Sequence, residues 1–417
     1  MNASTQCVVA GGGPAGMVLG VLLARAGVDV VVLEKHADFL RDFRGDTVHA
    51  STLTLLDELG MGERFAALPH RAEQHIDMIF DDGTVTEDFT RLPGRHQHIA
   101  LVPQWDFLSM LVEVGTRSPH LRVVMDAEVI DLVRTGGRVC GVTYRDRTTG
   151  AEHDLRADLV VGCDGRNSRV RDALGLPRII FGSPFDALFT RVPRTPDDPD
   201  RTLLRFSSVG GLIMINRTDY WQVALLIGKG EARRALRDDA AFLREGISAL
   251  EPRFAERVTS LTAADVAQLD IRIDRLRRWW APGALCIGDA AHAMSPIAGV
   301  GINLAIQDAV AAARSVIPGL RRGLVPDRAL AAVQRRRTPP TVLTQGLQRA
   351  AERRFIATSP EPNGSRPQPL RIPQPFRTLR HLPALPHVMG RVVGIGLRPE
   401  HLTGPLARPH PLRSCTP

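Results

Sequence analysis

The chain has 417 residues, enough to bury a large core and to form two or more lobes. Hydrophobic residues make up 44% of the chain and charged residues 24%, which is typical of a globular protein and excludes a mostly disordered one. The formal charge of +8 comes mostly from arginines that are scattered along the chain. Because they form no basic stripe interleaved with aromatic residues, the pattern disfavours a nucleic-acid-binding protein.

The N-terminal segment predicts a dinucleotide site. Its elements are, in order, a strand at 7–10, a Gly-Gly-Gly-Pro-Ala-Gly turn at 11–16, a helix at 17–26 and a strand at 28–33. Gly11 lets the chain turn sharply, Gly13 lets the backbone approach a pyrophosphate, and Gly16 lets helix and strand pack closely. Glu34 ends the second strand, close to the spacing at which an acid receives ribose hydroxyls. A glycine-rich turn without a ligand is the alternative.

A second acid-glycine pair follows an apolar strand at 159–161. The strand runs into Asp164-Gly165, and Arg166 and Ser168 open a helix. An acid at the carboxyl end of a strand in an open α/β sheet lies in the crevice where ligands bind. The alternative is a helix cap, because aspartate in a turn commonly caps a helix.

Two separated stretches predict a mixed sheet. Residues 75–80 and 84–89 are divided by Asp82-Gly83 and predict a hairpin. Further strand-like runs lie at 187–192, 203–206, 212–216 and 220–227, and a helix-like piece at 238–251. Residues 193–201 are rich in proline and aspartate and predict a weakly ordered surface loop.

A third motif lies at 284–303, where a short apolar strand ends in Gly288-Asp289 and a glycine-rich turn starts a helix. Asp289 is placed to accept hydrogen bonds from the ribityl hydroxyls of a flavin. The amides at 301–303 would point at the pyrimidine edge of the flavin, where negative charge collects on reduction. A helix cap is again the alternative, but three such motifs in this order favour a cofactor site.

This set of motifs resembles the para-hydroxybenzoate hydroxylase type of FAD-dependent aromatic monooxygenase, over residues 6 to about 315. The resemblance implies an α/β fold with a Rossmann-like FAD-binding domain (GR2 type) and an inserted mixed-sheet substrate domain. It implies FAD as cofactor and NADPH or NADH as co-substrate, without a second nicotinamide fold. The cofactor-binding residues that it implies are Gly11, Gly13, Pro14, Ala15, Gly16, Glu34, Lys35, Arg44, Gln104, Val129, Asp164, Gly165, Gly288, Asp289, Pro296, Gly299, Gly301, Ile302 and Asn303.

We expect the FAD-binding domain to be discontinuous. Its expected pieces are 1–70, 100–175 and 276–340, the substrate domain takes 71–99 and 176–275, and 341–417 form a helical or irregular extension. Near the start of this extension we predict an arginine-rich helix at 329–343, broken by Pro339-Pro340.

The resemblance also implies a reaction. NAD(P)H and O2 are used to hydroxylate an aromatic or polycyclic small molecule through a flavin C4a-hydroperoxide. Epoxidation, Baeyer–Villiger insertion or antibiotic modification by the same oxidant is the first alternative. A flavin-dependent reductase or halogenase stands third. The halogenase is disfavoured because no W-x-W-x-I-P stretch occurs in the sequence. We expect a monomer or homodimer.

Three residues are candidates for catalysis. The family segment that corresponds to His49 lies beside the flavin ring, so His49 is a candidate base, against a packing role at a helix start. Tyr220 falls in the substrate lobe and is a candidate to line the pocket, against an edge aromatic that packs on the sheet. Pro296 belongs to the flavin-facing turn. His292 is expected to order the Asp289 turn rather than perform chemistry.

Simpler sequence patterns indicate the cellular location of the protein and whether it has a metal site. No apolar run reaches ~18 residues, and the N-terminus lacks a signal-peptide pattern, so we expect a cytoplasmic protein without a membrane span. The five cysteines are isolated, which indicates buried thiols rather than a disulfide framework or a metal site.

Overall fold

The computed structural model describes residues 3–40, 47–237, 239–356, 369–374, 376–379 and 381–406. The strands are β1 (Ala3–Ala10), β2 (Val30–Leu33), β3 (Thr47–Val48), β4 (Arg71–Glu73), β5 (His75–Phe80), β6 (Gly83–Asp88), β7 (Ile99–Leu101), β8 (Leu121–Val124), β9 (Ala127–Thr135), β10 (Arg138–Asp146), β11 (Glu152–Gly162), β12 (Arg178–Ile180), β13 (Phe185–Pro193), β14 (Thr202–Ser207), β15 (Gly210–Asn216), β16 (Tyr220–Gly228), β17 (Ala267–Leu269), β18 (Asp274–Leu276), β19 (Trp280–Ala281) and β20 (Ala284–Cys286). The helices are α1 (Pro14–Arg25), α2 (Ala50–Glu58), α3 (Gly62–Ala66), α4 (Gln104–Gly115), α5 (Arg169–Ala173), α6 (Ala232–Ala235), α7 (Ala241–Leu250), α8 (Gly301–Leu320), α9 (Asp327–Ile356), α10 (Phe376–Leu379) and α11 (Leu385–Gly394).

The main sheet is built around five parallel strands in the order β20-β11-β1-β2-β8. Val8 on β1 lies between Val160 on β11 and Val31 on β2, and all three side chains are buried. Such continuous apolar runs are typical of parallel strands that are covered on both faces. Because the strands are parallel, the turns that follow β1, β2, β11 and β20 all lie at one edge of the sheet.

The second sheet is mixed, and within the described residues its order is β17-β13-β16-β15-β14-β5-β6. Along β16, Trp221, Val223 and Leu225 pack in the cluster that includes helices α6 and α7. The alternate residues Ala224 and Leu226 face the other side of the sheet, because side chains of a strand alternate between its faces. The predicted hairpin and the four predicted strand-like runs are all strands of this sheet, and the predicted fold class is confirmed.

The expected domain pieces follow the two sheets, although their boundaries stay a prediction. The main sheet draws its strands from 1–70, 100–175 and 276–340, and the second sheet from 71–99 and 176–275. The boundary at residue 340 falls inside one continuous helix, α9.

The predicted break of this helix at Pro339–Pro340 is wrong. A proline inside a helix removes a backbone hydrogen bond and usually kinks or ends the helix. Here tertiary contacts hold both sides of the prolines. Gln334 Nε2 donates to the carbonyl of Arg277 at 2.9 Å, one turn before them. Gln345 Nε2 donates to the carbonyl of Asp274 at 2.8 Å, just after them. Contacts of these two side chains with distant backbone carbonyls therefore hold the helix continuous across the prolines.

The loop at 193–201 is better anchored than its composition predicts. Its Asp198 is buried and accepts hydrogen bonds from Trp221 Nε1 at 2.9 Å and from Arg257 Nη1 at 2.6 Å. Burial alone would raise the pKa of Asp198, but the hydrogen bonds from Arg257 and Trp221 outweigh burial and hold it well below its ordinary value. The prediction of a weakly ordered loop overlooked this buried carboxylate.

Asp198→Asn is expected to lower the free energy of unfolding by about 3 kcal/mol at neutral pH, because Arg257 would lose its buried counter-charge. A carboxyl whose native pKa is lowered contributes stability that is present above the unfolded pKa of ~3.9 and is lost as the pH falls through the native pKa. The deficit of the variant should therefore shrink under acidic conditions. Urea denaturation at two pH values measures it, with the exposed Asp197→Asn as the matched control. Equal losses in both variants would contradict the anchor.

Among the described residues, one segment, 297–320, is long and apolar enough by length and composition to cross a membrane. It contains α8, and 72% of its apolar window is buried inside the fold, as in the core helix of a globular domain. The cysteines that the structure describes, Cys7, Cys140, Cys163 and Cys286, are free thiols, and Cys415 lies outside the described residues.

Candidate active site

The three acid-glycine turns meet at the carboxyl edge of the main sheet. After β1, Gly11 N donates to the carbonyl of Leu33 at the end of β2, at 2.8 Å. After β11, Cys163 N donates to the carbonyl of Ala10 at 2.7 Å. After β20, Ile287 N donates to the carbonyl of Gly162 at 3.0 Å. The turns that the sequence separates by more than a hundred residues thus share one crevice, at the point where the strand order reverses around β1.

The glycines of the first turn have distinct steric reasons. Gly11 has a φ of +101°, and a Cβ there would lie 2.5 Å from the carbonyl oxygen of Cys163. A Cβ on Gly16 would lie 1.9 Å from the carbonyl oxygen of Gly11. Gly13 differs, because no heavy atom lies within 4 Å of the position of its Cβ. Gly11 and Gly16 are therefore required by the protein itself, whereas Gly13 borders open space.

That open space lies at the N-terminus of α1. The helix has no side-chain cap and no acidic residue in its first turn, and Gly13 is its N-cap residue. Free N–H groups and the positive end of a helix dipole bind phosphate groups well. The first turn can accordingly take a pyrophosphate.

Glu34 is buried beside this turn. Its carboxylate accepts from Gly12 N at 2.8 Å and from His36 N at 3.1 Å. The acid therefore holds the glycine turn in place. A carboxylate offers about four acceptor positions, the type of group that receives ribose hydroxyls. Reception of the ribose by Glu34 stays a prediction.

Asp164 has the contacts of a helix cap and also an oxygen that is available to a ligand. Its Oδ2 accepts from Arg169 N at 2.7 Å and Val170 N at 3.2 Å, so one oxygen does cap α5. Its Oδ1 is buried and has no hydrogen-bond partner among the residues the structure describes. Burial raises the pKa of Asp164 above its ordinary value, and the hydrogen bonds offset this only in part. An unpaired buried oxygen of this kind is suited to a donor from a ligand.

The third turn lies directly beside the first. A Cβ on Gly288 would lie 3.4 Å from the Cβ of Ala15. Asp289 is half-buried, and its Oδ2 accepts from Arg166 Nε at 3.2 Å. Arg166 thereby joins the second and third turns, and its Nη1 also donates to the carbonyl of Asp270, close to the second sheet. The sequence pattern places Arg166 only at the start of a helix and indicates no role for it in the site.

The segment before α8 is shaped as a strained, uncapped helix start. Ala298 has a φ of +64°, which costs a non-glycine residue energy and is typical of functional sites. A Cβ on Gly299 would lie 2.7 Å from Thr47 Oγ1. The first turn of α8 carries no acidic residue and no side-chain cap. Its amides are therefore free to stabilise negative charge on a bound group.

Asn303 locks this helix start to a distant segment. Its Oδ1 accepts from His49 N at 2.9 Å and Thr52 Oγ1 at 2.7 Å. Its Nδ2 donates to the carbonyls of Thr47 and Gly299. Because the side chain is fully used within the protein, only the backbone amide of Asn303 can serve a ligand.

A buried charge network supports the third turn from below. Asp308 Oδ2 lies 2.5 Å from His292 Nε2 and accepts from Gly288 N at 3.1 Å. Arg337 Nε donates to Asp308 Oδ1 at 2.9 Å, and Arg337 Nη1 lies 3.6 Å from Glu400 Oε1. Burial would raise the pKa of Asp308, but the charges of His292 and Arg337 lower it overall. His292 thus orders the turn, as expected. Sequence reasoning missed Asp308, Arg337 and Glu400, because no local pattern links them.

His49 has the contacts of a helix-start residue. It is the N-cap of α2, it is 1% exposed, and its Nδ1 lies 2.7 Å from the carbonyl of Val393 on α11. Burial lowers the pKa of His49 to about 4, which the carbonyls of Val393 and Ala298 offset only in part. The ring is neutral at pH 7 and a weak base. Catalysis by His49 stays a prediction.

The remaining predicted residues lie on several different parts of the chain. Tyr220 starts β16, an interior strand, and the Arg191 guanidinium lies 5.1 Å from its ring centroid. Pro296 is half-buried and precedes the strained turn. Gln104 starts α4 and is half-buried. The other three are Val129, which is buried in the main core on β9, Lys35, which is exposed, and Arg44, which lies outside the described residues.

These groups fit FAD. The open space at Gly13, the unpaired Asp164 Oδ1 and two uncapped helix starts are the features that a flavin dinucleotide requires: places for a pyrophosphate, for hydroxyl donors and for the charge of a flavin ring. FAD would be held by the first turn, Glu34, Asp164, Asp289 and the start of α8.

Comparison with known proteins agrees with this geometry. Residues 4–344 match the sequence profile of the FAD binding domain family. The chain is 34% identical over 370 residues to 6-methylpretetramide 4-monooxygenase of Streptomyces rimosus, covering 86% of each protein. It belongs to the FAD-dependent aromatic hydroxylases. The hydroxylase is also 26% identical to rifampicin monooxygenase of Streptomyces venezuelae over 72% of its own length, but it spans only 62% of that relative.

Solved structures share the fold of the hydroxylase. PqsL of P. aeruginosa, solved in complex with 2-aminobenzoylacetate, has a TM-score of 0.73 at 23% identity and covers 84% of this chain and 96% of its own. The anhydrotetracycline hydroxylase OxyS of Streptomyces rimosus has a TM-score of 0.73 at 20% identity, over 95% of this chain and 77% of its own. At these identities the likeness shows the fold alone. The hydroxylase is an FAD-dependent monooxygenase, consistent with the crevice described above.

Proposed function

We propose that this hydroxylase uses NAD(P)H and O2 to hydroxylate a polycyclic phenol. The observation that carries the proposal is an apolar wall on the second sheet. Its half-buried side chains are Ile76, Met78, Leu204, Ile213, Ile215 and Leu226. They occupy the face opposite α6 and α7. A partly exposed apolar surface of this width suits a flat ring system better than a small polar substrate.

The wall reaches the cofactor crevice. Ile76 and Ile215 pack in one cluster with Ala50, the residue after His49. His49 N is in turn bonded to Asn303 at the start of α8. A ring system that lies on the wall would thus have one end close to the strained turn before α8.

The relatives support the same substrate class. The relative with 34% identity is named for 6-methylpretetramide, and the relative with 26% identity is named for rifampicin. Membership of the aromatic hydroxylases favours hydroxylation over another oxygen insertion. Antibiotic modification remains the second candidate, because it is favoured by the match to rifampicin monooxygenase.

In the proposed mechanism the chain supplies position, dryness and charge stabilisation. When bound, FAD supplies the redox chemistry that activates oxygen. The start of α1 binds its phosphates, Glu34 and Asp289 orient its hydroxyl groups, and the amides of α8 stabilise negative charge at the ring. The apolar wall would exclude water from the substrate and orient it.

Turnover with labelled oxygen tests the proposal. FAD-loaded protein is incubated with 6-methylpretetramide and either NADPH or NADH under labelled O2. The products are then separated, and their masses are measured by mass spectrometry. We expect a product with one added oxygen atom that carries the label, and substrate-dependent consumption of the nicotinamide. Oxygenation of rifampicin but not of 6-methylpretetramide would favour the second candidate. Labelled product from neither 6-methylpretetramide nor other polycyclic phenols would contradict the proposal.

A further inference from the structure

Glu87 is a buried carboxylate on the apolar wall. It lies on β6, only 7% of it is exposed, and it stands opposite Ile76 of β5 in the strand register. Val85, two residues earlier, stands opposite Met78 and is also buried. Glu87 therefore shares the face that carries Ile76 and Met78, and it is the acidic member of that face on β6.

Nothing in the described part of the chain neutralises Glu87. It has no hydrogen bond and no ion pair there, in contrast to the buried Glu73, Asp308 and Glu400. Burial raises the pKa of Glu87 to about 7, with no charged neighbour contributing. An unpaired buried carboxylate destabilises a fold, so its presence on this wall needs a reason other than packing.

The ionisable groups on the elements around Glu87 have other partners. They are His75 and His387, which face Asp88; Asp77, which binds Arg201; His49, which binds Val393; and Arg391, which is exposed. The pKa of Glu87 is therefore determined by its burial and by any ligand that binds on the wall.

The position of Glu87 connects it to the cofactor crevice. Helix α11 lies tightly on β6, where a Cβ on Gly390 would come within 2.1 Å of the carbonyl oxygen of Asp88. The far end of α11 supplies the Val393 carbonyl that binds His49, next to the start of α8. Glu87 and the flavin-side turn thus border the same end of the wall, where Ile76, Ile215 and Val393 cluster.

We propose that Glu87 is the base that accepts the proton of the substrate hydroxyl group. The proposal rests on the function proposed above. The phenolic O–H bond breaks, its electron pair stays on the phenolate oxygen, and the proton forms a new O–H bond with the Glu87 carboxylate. The phenolate raises the electron density of the ring that is to be oxygenated. A base that titrates near neutral pH is well matched to this task, because it is ionised yet still able to hold the proton.

Glu87→Gln keeps the shape of the side chain and removes the base. We expect the variant to bind FAD normally and to hydroxylate 6-methylpretetramide about 100- to 10,000-fold more slowly. The wild-type rate should fall as the pH drops through about 7, and the variant should lose that limb of the profile. Glu245→Gln, on the exposed side of α7, is the matched control and should behave as wild type. An unchanged rate and pH profile in Glu87→Gln would overturn the proposal while leaving the proposed function intact.

Ligand affinity distinguishes a role of Glu87 as a base from a purely structural role. The probes are 2-hydroxyanthraquinone and 2-methoxyanthraquinone, in which a methyl group replaces the proton that Glu87 would bind. A hydrogen bond to a charged group contributes about 10- to 150-fold in affinity. We expect the wild-type holoenzyme to prefer the hydroxyl compound by such a factor above neutral pH, and Glu87→Gln to show no preference. An equal preference in both proteins would contradict the proposal.

A third measurement needs no ligand. Infrared difference spectra across neutral pH should contain the carbonyl band of a protonated carboxyl that titrates near pH 7 in the wild type and is missing from Glu87→Gln. Absence of this band in the wild type would overturn the role of Glu87 whichever substrate the enzyme takes. Failure of all polycyclic phenols in the labelled-oxygen assay would instead count against the proposed function.

Discussion

Gly13→Ala is expected to give a folded protein with little or no bound FAD. Gly13 has a φ of −70°, which alanine adopts without strain, and its Cβ would meet no atom within 4 Å. The fold should therefore be unaffected. The added methyl group would enter the open space where the pyrophosphate approaches the start of α1. We expect affinity for FAD to fall by about 100-fold or more, equivalent to about 3 kcal/mol.

The FAD content of the purified protein and a flavin fluorescence titration measure this effect. Gly346→Ala is the matched control: it makes the same chemical change on the exposed side of α9, also in open space. It should keep FAD and should raise stability by up to about 1 kcal/mol, because alanine favours a helix over glycine. Normal FAD binding by Gly13→Ala would show that the pyrophosphate does not lie against this turn.

Arg337→Met is expected to lower the free energy of unfolding by about 3–5 kcal/mol. Arg337 is 1% exposed and lies between Asp308 and Glu400, which are both buried. Removing one member of a buried charge network leaves uncompensated charge in a medium of low polarity. Because Asp308 also holds Gly288 N, we expect the variant to release FAD at a lower denaturant concentration as well.

Urea denaturation followed by circular dichroism and by flavin fluorescence measures both effects. Arg335→Met is the matched control, since Arg335 lies on the same helix and is exposed. Its effect should stay within about 0.5 kcal/mol. Similar losses in the two variants would mean that the cost comes from helix α9 rather than from the network.

Sequence was sufficient where chemistry is local. The turn at 11–16 predicts its own shape, because Gly11 and Gly16 would clash with backbone atoms close by if they carried side chains. The meeting of the three turns was also predictable, since the carboxyl ends of parallel strands share one edge.

The sequence was insufficient to predict features that depend on contacts between residues distant in the chain. Pro339–Pro340 predicts a helix break from local rules, and only the contacts of Gln334 and Gln345 with distant backbone carbonyls show why the helix continues. Glu87 looks like a solvent-facing residue of an edge strand until the register with Ile76 is known. The signal in the sequence was the position of Glu87 two residues after the apolar Val85, because residues two apart in a strand share a face.

The network around Glu400 also bears on how the chain folds. Glu400 binds Arg314 and Arg336, and its neighbour Arg398 accepts from Arg337, so a late segment neutralises arginines of α8 and α9. During synthesis those arginines emerge from the ribosome well before their partner. The nucleotide-binding lobe therefore gains its full set of charge contacts only once residue 400 is available.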